Sequence, residues 1–79
     1  MSRTTLDQVI TVVARTFDCP EQSLNGDSSA VDVDGWDSVS HAMLVLDIED
    51  EFGIVIDFER ALDAPNLAAL ASYIDEIRG

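Results

Sequence analysis

A chain of 79 residues allows one domain with one modest core. A domain of that size buries only about 60% of its unfolded surface, too little for a deep substrate pocket with a supporting layer behind it. Its 16 acidic side chains against 4 basic ones, all arginine, give a net charge of −12 that repels phosphate backbones and anionic lipid, so direct nucleic-acid binding is not expected and basic protein patches are favoured partners.

A hydrophobic fraction of 47% is too high for a disordered chain, and no apolar run approaches the ~20 residues of a membrane span. The opening Met1-Ser2-Arg3-Thr4-Thr5 leads straight into an amphipathic segment, without the apolar stretch of a signal peptide. The lone Cys19 cannot form an internal disulfide, which fits a cytoplasmic chain.

Residues 5–17 are predicted to form a helix. Leu6, Val9, Ile10, Val13, Ala14 and Phe17 follow the spacing that places them on one face. Thr5 with Gln8 makes a candidate capping box, and Pro20 is expected to end the helix at Cys19. Residues 18–36 lack a sustained period, with Leu24, Val31 and Val33 as the expected apolar anchors. A connection this long in so small a domain is often functional.

A second helix is expected from Ser38 to Phe52, stopped by Gly53. Ile54-Val55-Ile56 has no obvious strand partner and is taken as an apolar connector. Asp57 is a suitable cap for a short helix near 57–62. Asn66 caps a last helix with Leu67, Leu70, Ala71, Ile74 and Ile77 inward. The expected architecture is an all-α four-helix bundle, with three main helices, one short helix and a long first loop. A single domain over 1–79 and a monomer are expected.

The second helix carries two apolar faces. His41, Leu44, Val45, Ile48 and Phe52 share one arc, which should meet the core. Val39, Met43, Leu46 and Asp50 lie on another line at i, i+4, i+7 and i+11, with Asp47 on its border. Apolar residues thus cover more of this helix than one core can bury. The second face is expected to meet a partner, with apolar anchors rimmed by Asp37, Asp47, Glu49 and Asp50. The alternative is that it packs under the long loop.

The segment Gly35-Trp36-Asp37-Ser38-Val39, followed by Leu44-Val45-Leu46-Asp47-Ile48-Glu49-Asp50-Glu51-Phe52-Gly53-Ile54, resembles the acyl carrier protein family and its peptidyl-carrier relatives. It looks like that family's G-x-D-S-L segment and the acidic helix ending in E-E-F-G-I. The likeness extends through the short helix and the last helix. It implies that Ser38 receives a 4′-phosphopantetheine arm from coenzyme A through a phosphopantetheinyl transferase. It also implies that the arm holds acyl or aminoacyl groups as thioesters and that the protein itself catalyses nothing. Asp37, Val39, Met43, Leu46, Asp47, Glu49 and Asp50 are then candidate contacts for partner enzymes with basic docking surfaces: an acyl-loading or ligase enzyme, a ketosynthase or an acyltransferase. The expected service is fatty-acid-like, polyketide or other specialised biosynthesis, with a peptidyl or aminoacyl carrier as the alternative.

Several positions depart from the family's commonest pattern. Val39 stands where leucine is usual, Met43 where glutamate is frequent, and Asp34 where an apolar residue often precedes the glycine. Ala64-Pro65-Asn66 replaces a Thr/Ser-rich helix entry. Trp36 is a packing residue or a recognition element. His41 either lines the mouth of an acyl-sheltering cavity or is a satisfied structural histidine.

Three other functions fit the residues less well. A hydrolase built on Asp37, Ser38 and His41 lacks a nucleophile elbow and a separate element to orient its histidine. A calcium loop at Asp32-Val33-Asp34-Gly35 would put Ala30 and His41 where acidic ligands belong; no metal is expected. A non-modified acidic interaction protein with a carrier-like fold explains the charge but does not require Ser38.

Overall fold

The computed structural model describes residues 4–33 and 35–78, the Ala30 side chain excepted. Asp34, Gly79 and the first three residues lie outside that set. Helices α1 (Thr5–Phe17), α2 (Ser38–Phe52), α3 (Phe58–Asp63) and α4 (Leu67–Arg78) follow in chain order, with 3₁₀ turns at Glu21–Ser23 and Ala30–Asp32. The described residues contain no strand, and the all-α expectation holds. Helix α1 packs against both α2 and α4, and α3 leans on α2.

The capping box of α1 lies one residue earlier than Thr5 and Gln8 would place it. The Thr4 side chain accepts from the Asp7 N–H at 3.0 Å, and Asp7 accepts from the Thr4 N–H. A carboxylate at this position suits the positive helix end better than a neutral amide, and Thr5 donates instead to Asp75 on α4. The helix also stops before Pro20 can act. Asp18 takes a left-handed conformation (φ 53°), which aspartate tolerates, and its N–H bonds the Ala14 carbonyl.

The core gathers Val9, Val12 and Val13 from α1, Leu44, Val45 and Ile48 from α2, and Leu67, Leu70 and Ile74 from α4. Val12 lies outside the expected stripe. It is buried because α1 sits between two helices and needs a wider apolar arc than a one-sided helix. Leu6, Ile10, Phe17 and Ile77 are only half-buried around the rim.

Of the three expected loop anchors, Leu24 and Val33 are buried, but Val31 is 92% exposed. The second 3₁₀ turn is fixed by Asp32, which accepts from the Ser29 N–H and hydroxyl. A turn that tight points neighbouring side chains in different directions, so Val33 goes in and Val31 out. The loop is a structural part of the bundle. Its carbonyls at Ser28 and Gly26 accept from the Leu67 and Ala68 N–H groups at 3.0 and 2.9 Å, and Asn66 Oδ1 accepts from Ala69. Three N–H groups that α4 would leave unpaired at its start are thereby satisfied. Gly26 permits this approach, since a Cβ there would come within 3.3 Å of both Ala68 and Leu6.

Gly53 ends α2 with φ 65°. The apolar connector after it is tied down without a sheet: Glu49 Oε2 accepts from the Ile56 N–H at 2.8 Å, and the Tyr73 hydroxyl accepts from the Asp57 N–H at 2.9 Å.

Candidate functional site

The start of α2 is built by three residues ahead of it. Gly35 adopts φ 84°, a region that L side chains avoid, and turns the chain toward the bundle. Trp36 then stacks on Phe17 of α1, with ring centroids 5.0 Å apart, and its indole N–H donates to His41 Nδ1 at 3.0 Å. Asp37 caps the helix by accepting from the Ser40 N–H at 2.9 Å, and that bond holds its carboxyl below the usual carboxylate range.

Ser38 is the first residue of the helix and is exposed. Among the described residues its hydroxyl makes no hydrogen bond, because Asp37 already supplies the cap. The positive end of the helix dipole and the first-turn N–H groups lie beside it, a setting that favours a phosphate.

Beside Ser38 opens a cleft of about 260 Å³. Asp37, Ser38 and His41 form one side, and Leu62, Leu67 and Leu70 from α3 and α4 form the other. This lining joins residues far apart in sequence, so helical spacing within α2 could not reveal it. The clue available was His41, three residues after Ser38 on the inward arc.

His41 is only 5% exposed. An indole N–H can only donate, so Nδ1 carries the lone pair and the single proton of the neutral ring sits on Nε2. Burial lowers the imidazole pKa below its ordinary 6.5, which keeps the ring neutral at neutral pH. Among the described residues Nε2 is buried with no hydrogen-bond partner. Leaving such a donor unmatched costs about 1–3 kcal/mol. His41 is therefore satisfied at one nitrogen only.

The second face of α2 is open. Val39, Met43 and Leu46 are all more than half exposed, and Asp50 is exposed beside them. Asp47 and Glu49 are partly committed to the fold. Asp47 Oδ2 accepts from the Thr16 hydroxyl at 2.7 Å and ties α2 to α1, while Glu49 holds the connector. Arg15 pairs with Glu51 and Arg60 with Glu76, both at 3.2 Å. Arg78 lies over the Phe52 ring. Among the described residues no arginine pairs with Asp37 or Asp50. None of the described helices is long and apolar enough to cross a membrane, and the described residues hold no cluster of three metal-ligating side chains.

Residues 7–74 match the family described as phosphopantetheine attachment site. The fold is similar to the solution structure of holo acyl carrier protein from Geobacter metallireducens, with a TM-score of 0.81 and 30% identity over 94% of this chain and 85% of that one. A stretch of 57 residues is 44% identical to part of non-reducing polyketide synthase AC from Didymella fabae. That match covers 72% of this chain and only 2% of the synthase, so the chain spans a very small part of that relative.

Proposed function

This chain belongs to the phosphopantetheine attachment-site family and is a carrier with covalently attached phosphopantetheine, and from that premise we propose that Ser38 holds the arm and that the cargo is acyl. The observation that carries the reading is the placement of Ser38: an exposed hydroxyl free of hydrogen bonds among the described residues, at a helix N-terminus, beside a cleft with mostly apolar walls. These residues fit the group. The hydroxyl is accessible to a transferase, the helix end tolerates a phosphodiester, and a chain attached there can turn into the cleft.

When bound, the arm supplies a terminal thiol that holds a carboxylic group as a thioester. The protein's own residues attach, orient and shelter. Asp37 caps α2 and so fixes the direction of Ser38, although its charge opposes a neighbouring phosphate. Trp36 locks the preceding loop to α1 and α2, which holds the attachment point still relative to the bundle. Carriage on a flexible tether raises the local concentration of cargo at each partner's active site.

An acyl cargo is favoured over an aminoacyl one by the apolar walls of Ala61, Leu62, Leu67 and Leu70. The likeness to an acyl carrier protein and to a stretch of a polyketide synthase supports the same choice. The chain then acts without catalysis of its own, as a cytoplasmic monomer. It serves a transferase, a loading enzyme and a condensing or acyl-transferring enzyme of fatty-acid-like or polyketide synthesis.

Incubation with coenzyme A and a broad-specificity phosphopantetheinyl transferase, followed by intact mass spectrometry, tests the proposal. One phosphopantetheinyl group per chain is expected; a folded chain that several transferases leave unmodified would sink it.

The acidic apolar face of α2 is the proposed docking surface, with Val39, Met43 and Leu46 as anchors. Asp50 is the acid most available for docking, since Asp47 and Glu49 each have an oxygen engaged within the fold. Asp50→Asn should slow modification roughly two- to fivefold at low salt with no loss of stability, and added salt should slow the wild type similarly. Asp47→Asn and Glu49→Gln should also lower the unfolding midpoint, because each weakens an internal hydrogen bond worth about 1 kcal/mol. Rates unaffected by both salt and Asp50→Asn would refute an electrostatic address.

A further inference from the structure

We infer that His41 reads the chemistry of the cargo: its Nε2–H donates a hydrogen bond to an oxygen on the acyl chain that enters the cleft beside Ser38. The inference rests on the carrier reading above and adds a selection to it, for an oxygenated chain over a saturated one.

Three observations converge on this imidazole. Its proton is placed on Nε2 by the Trp36 indole, which can only donate and does so to Nδ1 at 3.0 Å. Nε2 is buried and has no partner among the described residues, in a residue that is 5% exposed. Buried polar groups are almost always paired, so an orphaned donor asks for an acceptor that joins later. The same ring lines the cleft that Ser38 also lines, and the opposite wall is built from Leu62, Leu67 and Leu70. Ser29 and Asn66 also reach the lining, but most of it is apolar, and a buried donor in a largely apolar wall is the arrangement by which a pocket fixes a single oxygen in an otherwise greasy ligand. A site that hydrogen-bonds a substrate oxygen rejects the analogue lacking it more strongly than an apolar pocket rejects a change of length.

Nε2 is sealed from water in this structure, so an acceptor reaches it only with a shift of a neighbour. Phe58, the first residue of the six-residue α3, meets the imidazole edge-on at 5.4 Å and is itself 40% exposed. The acceptor chemistry is a carbonyl or hydroxyl oxygen. Both the arm, through its amides, and a β-oxygenated cargo carry one, and the cargo is the source we assign.

The test loads the intact chain with the arm alone, with a butyryl arm and with an acetoacetyl arm, from coenzyme A and its butyryl and acetoacetyl thioesters respectively. Mass spectrometry verifies each product. The His41 Nε2–H is then followed by ¹⁵N-resolved NMR. With acetoacetyl cargo it should move downfield and exchange with solvent roughly two- to tenfold more slowly than with butyryl cargo or the bare arm, the range set by one net hydrogen bond. The acetoacetyl form should also unfold at a higher temperature than the butyryl form, a difference that His41→Phe removes.

The NMR arm uses only wild-type protein, so it decides the matter even if His41→Phe fails to fold. The same shift with the bare arm would assign the bond to an arm oxygen and overturn cargo selection. No difference among the three loaded forms would overturn it as well. A chain that accepts no arm would overturn the carrier reading itself, and the mass spectrum separates that failure from the others.

Discussion

Ser38→Ala is expected to fold normally and to gain no mass from coenzyme A and transferase. The fold does not depend on this hydroxyl. Ser38 is exposed, its side chain makes no hydrogen bond among the described residues, and the capping of α2 belongs to Asp37. Alanine is also the best helix former, so the stability change should stay within about 0.5 kcal/mol, as for other surface substitutions away from caps and core. The chemistry, by contrast, should vanish completely, because a methyl group cannot form the phosphodiester. Ser40→Ala is the matched control. It removes a second hydroxyl from the same helical turn, one that is half-buried and whose N–H is held by Asp37. Mass gain should persist in Ser40→Ala. Persistence in Ser38→Ala, with loss in Ser40→Ala, would move the attachment site by two residues. Circular dichroism on both variants excludes unfolding as the cause of a negative result.

Local signals in the sequence were enough for the helices and for the residue at the start of α2. The stop of α2 at Gly53 acts within one turn and was legible, whereas Asp37 was expected on a partner-facing rim and turns out to be the cap of that helix. The two faces of that helix follow from its 100° step. What spacing could not reveal depended on contacts between distant segments. Val12 is buried because α1 meets two helices, a fact about packing rather than about α1. Val31 points outward because a 3₁₀ turn interrupts the loop. Asp47 and Glu49 look like free rim charges along the helix, yet Thr16 and the Ile56 N–H, from other parts of the chain, engage them. The cleft draws on α2, α3 and α4 together, and the half-satisfied state of His41 shows only once Trp36 is seen to occupy the other nitrogen.

Ile48→Ala is expected to lose a large share of the stability of the domain, whereas Leu46→Ala, two residues earlier on the same helix, should lose almost none. Ile48 is 0% exposed, and Leu46 is 63% exposed on the other face. Truncating a fully buried isoleucine removes transfer free energy and leaves a cavity, at a cost of about 2–5 kcal/mol. A domain of 79 residues has roughly 4–12 kcal/mol in total. The variant should therefore melt at least ~8 °C lower, since each kcal/mol shifts a domain of this size by about 4–8 °C. Urea unfolding should show a lower midpoint with an unchanged slope if the native fold persists. Leu46→Ala should leave the urea midpoint in place and instead slow modification and weaken partner binding, because its side chain belongs to the proposed docking face. The pair separates the two faces of α2 in one experiment. Equal destabilisation by both substitutions would mean that Leu46 is packed in solution and that the helix has no open apolar face for a partner to meet.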